Sequence, residues 1–122
     1  MRHVTFQSLT SIDKRARGTS LQCYANFDYD DIVSAFGEPV IPIVDHKTSA
    51  EWHIDVKQDG VPVGVVTLYD YKEHVGYRED GLETQDITEW HVGAKNKRLA
   101  ADVIDFIQTS KKHEKNLQTT TA

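Results

Sequence analysis

The sequence predicts an α+β domain: a mostly antiparallel sheet of about five strands in the order β-β-α-β-β-β-α, with a short helix and a long C-terminal helix packed on it. Three observations carry this reading. Several stretches alternate apolar and polar residues at the strand period, an Asp59-Gly60 pair sits between two of them, and residues 96–111 place apolar side chains on one helical stripe. The chain has 122 residues, enough for one domain, taken as residues 1–112, with a polar tail over 113–122 expected to be disordered.

Residues 3–9 alternate, with Val4 and Phe6 on one face, and read as the first strand. A polar turn, Asp13 to Gly18, leads to a second strand whose Leu21, Cys23, Ala25 and Phe27 share a side, so the two are expected to form a long-looped hairpin. Helix signals follow together. Asp28 is placed to cap the next turn, Phe27 and Ile32 stand at the positions of a hydrophobic staple, and Asp30 and Asp31 suit the positive end of the helix dipole. Gly37 then stops the helix and Pro39 forbids its resumption.

Residues 39–49 have no clear period and read as a crossing loop. From Glu51 to Val56 the alternation is strict, with Trp52, Ile54 and Val56 inward. Asp59-Gly60 marks a tight hairpin, because both central residues of a type I′ turn need positive φ. The return strand, Val61 to Lys72, is apolar on both faces at its middle (Val65, Val66, Leu68) and is expected to be central and paired on both sides. Residues 73–85 read as a mobile loop, and Asp86 to Gly93 as the last strand with Trp90 and Val92 inward. In the terminal helix, from about Asn96 to Lys111, the residues Leu99, Val103 and Ile107 lie in one arc opposite Arg98, Asp102 and Asp105. Trp52, Val65, Trp90 and Ile107 are expected to meet in one apolar interior.

The net charge of −5 is unevenly spread. Between Asn26 and Val92 there are fifteen acidic residues against four basic ones, whereas the two ends together carry ten basic and four acidic residues. Such a middle is either a solvated surface or a face that meets a basic partner. The lone Cys23 has no internal disulfide partner, which fits a reducing compartment. No apolar run approaches the ~18 residues of a membrane span, and none is expected to engage a membrane.

Catalytic and metal signatures are weak. The six histidines (His3, His46, His53, His74, His91, His113) lack the close pairing of zinc ligands and read as surface side chains. Cys23 sits on the apolar side of its strand, and no Gly-x-Ser-x-Gly elbow occurs. No catalytic residue, metal or cofactor is expected. Two features remain. Tyr69-Asp70-Tyr71-Lys72 ends a strand, and Lys95, Lys97 and Arg98 gather where the last strand turns into the helix. Cations at a helix start oppose the dipole, so these are either solvated or placed to hold an anion.

Taken together, Phe36-Gly37-Glu38-Pro39, Glu51-Trp52-His53-Ile54, Asp59-Gly60, Leu68-Tyr69-Asp70-Tyr71-Lys72 and Trp90-His91-Val92-Gly93 resemble the shared pattern of a group of small bacteriophage accessory proteins, over roughly residues 27–107. Ala94 stands where that pattern has a second glycine. The resemblance implies a phage-encoded protein of the host bacterial cytoplasm, of a kind that often blocks a host or antiviral-defence factor.

Two functions are therefore expected. The first is non-enzymatic binding and inhibition of a host protein or complex through an acidic surface comprising Asp28, Asp30, Asp31, Glu73, Glu79, Asp80 and Glu83. The alternative is a small-ligand binder that sequesters a nucleotide or other anionic signal. There Lys95, Lys97 and Arg98 hold phosphate, Tyr71 or Trp90 stacks a base, and Lys72 and His91 lie alongside. A hydrolase would instead need carboxylates and histidines converging in a pocket. The first two strands leave edges through which a homodimer or higher homo-oligomer could form.

Overall fold

The computed structural model describes residues 3–11, 13–40, 48–71 and 81–121, with side chains of the final helix described through Lys111. Five strands are formed: β1 (Val4–Ser8), β2 (Ser20–Asn26), β3 (Glu51–Gln58), β4 (Val61–Tyr69) and β5 (Glu89–Ala94). They make one antiparallel sheet in the order β1-β3-β4-β5-β2. Two α-helices, α1 (Tyr29–Phe36) and α2 (Lys97–Thr121), complete an α+β fold. No helix among the described residues is long and apolar enough to cross a membrane.

β4 is central, as its two apolar faces predict, with β3 and β5 on either side. The β3–β4 turn uses Asp59 and Gly60, both at positive φ (53° and 81°). The expected β1–β2 hairpin does not form. These strands lie at opposite edges of the sheet, β1 against β3 and β2 against β5. The segment between them carries a 3-10 helix, Lys14–Gly18, that lies across the sheet as a strap. Its entrance is fixed on β3, where the Leu9 amide donates to the His53 carbonyl (2.8 Å) and the Asp13 amide donates to His53 Nδ1 (3.0 Å). Both anchors are main-chain amides of the connection, and the acceptors are on His53 of β3.

One sheet face meets the helices. Trp52, Ile54, Val66, Leu68, Trp90 and Val92 are buried there against Leu99, Val103 and Ile107 of α2 and Ile32 and Phe36 of α1. Trp52 and Trp90 meet edge to face, their ring centres 5.4 Å apart. Val65 is buried but belongs to the opposite face, paired with Asp55, so it does not join that interior. The alternation of β4 requires this separation from Val66.

The two tryptophans also hold α1. Trp90 Nε1 donates to the carbonyl of Phe27, just before the helix, and Trp52 Nε1 donates to the carbonyl of Gly37, just after it (3.0 and 2.8 Å). Residues 51–54 (Glu-Trp-His-Ile) and 89–92 (Glu-Trp-His-Val) share one pattern, and in the fold the two strands that flank β4 present its indoles to the two ends of one helix. At the start of α1, with Asp28 at the cap position as expected, the Asp31 carboxylate accepts the Asp28 amide (2.9 Å) and the Asp31 amide donates to the Asp28 carbonyl (3.0 Å).

The final helix continues to Thr121, well past the expected end near Lys111 and through the segment expected to be disordered. Residues 112–121 contain neither Gly nor Pro and include good helix formers, so nothing local stops propagation.

Candidate functional site

The antiparallel register sorts the exposed charges by end of the sheet. At one end lie the last residue of β2, the start of α1, a short 3-10 turn (Thr84–Asp86) and the start of β5. Asn26 is paired with Glu89 there, and the Phe27 amide donates to the Thr88 carbonyl (2.9 Å). Asp28, Asp30, Glu83, Asp86 and Glu89 are all exposed at this end. Asp31 is half-buried, with Lys111 Nζ 3.5 Å from its carboxylate. At the other end lie the strap, the end of β5 and the start of α2, with exposed Lys14, Arg17, Lys95, Lys97 and Arg98. Asp59 and Asp102 are also at that end.

Of the acidic residues proposed from the sequence, Asp28, Asp30, Asp31 and Glu83 are therefore brought together. Glu73, Glu79 and Asp80 lie outside the described residues, as do Lys72, His46 and His74. Asp86 and Glu89 belong with this cluster but were not singled out. The signal that could have found them is the strand register, which places Glu89 beside the start of α1.

The expected ligand residues do not converge. Trp90 is fully buried in the helix-side interior and presents no ring face to a ligand, because its indole packs on Trp52 and its N–H is spent on Phe27. Tyr71 and His91 do meet, in an aromatic group that also holds Tyr69 and Tyr24; their ring centres lie 5.6, 5.3 and 4.8 Å from that of His91. Burial first, then the nearby Glu51 carboxylate, raises the Tyr69 hydroxyl above its ordinary pKa. Lys95 follows His91 by four positions, a span of about 13 Å at the usual rise per strand residue. The aromatic group and the cations are thus separate features. Asn96 Oδ1 accepts the Leu99 amide (3.0 Å), so the side chain of Asn96 already caps α2.

A polar cluster under the strap was missed altogether. His53, expected on a solvent face, is fully buried, and Asp55 is nearly so. The Asp13 amide can only donate, so His53 Nδ1 must be the acceptor; Nε2 then carries the proton and donates to Glu51. Arg15 bridges Asp13 (3.0 and 3.1 Å) and Asp55 (2.9 Å). Side-chain and backbone hydrogen bonds from Arg15 hold the Asp13 carboxyl down to about 2, and the same carboxylates raise the Arg15 guanidinium. Every group in this cluster has its partner inside it, which makes it a latch for the strap. Among the described residues, no group of three or more His, Cys, Asp or Glu side chains is arranged to hold a metal ion. Comparison with protein-family models finds no matching family, and comparison with curated proteins finds no match.

Proposed function

We propose that this is a non-enzymatic, phage-encoded protein that binds a basic surface of a host bacterial macromolecule in the cytoplasm, one with a role in antiviral defence, and inhibits it through the acidic end of the sheet. One observation carries the reading: Asp28, Asp30, Glu83, Asp86 and Glu89, scattered over more than sixty positions of sequence, are exposed together around the start of α1. Asp28 and Asp30 suit the start of α1, but five carboxylates gathered this way repel one another beyond what one helix start needs, and such a field favours attraction for a basic partner. The motif resemblance supports the phage origin. The nucleotide-sequestering alternative has less support, since Trp90 is closed off and the aromatic group stands apart from the cations.

Affinity capture from bacterial lysate, with the wild type beside an Asp30→Lys/Glu83→Lys/Glu89→Lys variant, tests this. The wild type is expected to recover a protein or complex stoichiometrically at about 50 mM salt and far less at about 300 mM, where screening shortens the reach of surface charge. The folded variant is expected to recover none. Capture that ignores both salt and charge reversal would overturn the proposal.

A further inference from the structure

A cavity of about 450 Å³ opens between the strap and the first half of β4, at the end opposite the acidic surface. This volume is within the range of small-ligand sites. Its floor is apolar: Pro62, Val63 and Val65 line it from β4. The strap forms the facing wall with Gly18 and Thr19, whose hydroxyl is occupied by the Ala16 carbonyl (2.6 Å). Arg15 also borders the space, but its guanidinium is engaged by Asp13 and Asp55, so it contributes rigidity and no spare charge.

Lys95 is different. It is exposed, and among the described residues no carboxylate pairs with it. Its stem lies along Gly64: a Cβ at that position would be 3.6 and 3.7 Å from Lys95 Cε and Cδ, and 2.8 Å from Leu99 Cδ1. The Lys95 stem therefore passes close to Gly64, whose missing Cβ makes room for Leu99, and Lys95 lines the cavity wall. A second cavity of about 220 Å³ begins on the other side of the same stem and shares Val63 and Lys95 with the first.

We infer that the cavity between the strap and β4 is a binding site for a small organic monoanion, its apolar or aromatic body on Pro62, Val63 and Val65 and its carboxylate, sulfonate or phosphate on Lys95. An uncharged apolar molecule would leave the Lys95 ammonium unused. A polyphosphate would find, among the described lining residues, Lys95 as the one cation outside the Arg15 ion pairs, above an apolar floor, a poor match for its charge. The inference is independent of the acidic end and survives if that surface binds nothing.

Anilinonaphthalene sulfonate has the required chemistry and serves as the probe, with uncharged N-phenylnaphthylamine as its counterpart. The folded protein at neutral pH is expected to bind the sulfonate saturably, one to one, with amide shift changes centred on Gly18, Thr19, Gly64, Val65 and Lys95. Lys95→Glu is expected to weaken the sulfonate about tenfold, the scale of a single reversed charge contact, and to leave N-phenylnaphthylamine unchanged. Lys97→Glu, a cation outside the cavity wall, should change affinity by less than about twofold at moderate salt. Val63→Trp, which fills the space, should abolish binding. Absence of saturable binding, shift changes centred elsewhere, or equal losses in Lys95→Glu and Lys97→Glu would each overturn the assignment. The shift map uses the wild type, so it decides the matter even if Val63→Trp fails to fold.

Discussion

The two faces of this sheet exclude water by different means. On the helix side, Trp52, Ile54, Val66, Leu68, Trp90 and Val92 bury apolar area against α1 and α2, and only the two indole N–H groups need directed partners. On the strap side, His53, Asp55 and Thr67 are buried by a single 3-10 helix whose hold depends on directed bonds from Asp13 and Arg15. Area burial is spread over many contacts and supports the whole fold. A few directed bonds hold one segment, and they fail one at a time. The strap side should therefore open locally while the helix side gives way only with global unfolding.

The sharpest way to break this contrast is Trp90→Ala. It removes a fully buried ring, its contact with Trp52 and the bond to the Phe27 carbonyl, and is expected to cost about 3–5 kcal/mol in denaturant unfolding. A cost no larger than that of strap-side substitutions would abolish the distinction. Gly93→Ala probes the strap side. An added Cβ there would lie 2.5 Å from Thr67 Oγ1 and 3.5 Å from Thr19 Oγ1, so a loss of about 1–3 kcal/mol is expected, with a smaller loss in a Thr67→Ala background. Equal losses in both backgrounds would show that the clash is elsewhere.

The smallest effect concerns acid. The folded pKa of Asp13, about 2, is below its ordinary 3.8, so the stability that this carboxylate contributes is present above about pH 4 and lost as pH falls from about 4 towards 2. Asp13→Asn should remove that part of the acid sensitivity. Melting temperatures of wild type and variant, measured across that range, are expected to converge as pH falls; parallel curves would show that the latch does not depend on the charge of Asp13.

Much of this was legible beforehand, for local reasons. The capping residues of α1, the Asp59-Gly60 turn and the apolar stripe of α2 each act over a few residues, and each stands where the sequence places it. The His53 environment was not legible. Alternation in β3 shows that His53 and Asp55 share a face, but not that residues forty positions earlier return to cover it. In the sequence the acidic residues form only a stretch of chain; which of them meet, Glu89 among them, follows from register.

Sequence by itself determined the elements, their caps and turns, and which side chains of each strand point the same way, because these are set by backbone geometry and near neighbours. Only the tertiary structure decided that β1 and β2 part to opposite edges, that the strap crosses the second face, and that Asp28, Asp30, Glu83, Asp86 and Glu89 gather at the end opposite Lys95, Lys97 and Arg98. Those outcomes depend on pairings between distant segments, whose free energy no local pattern records.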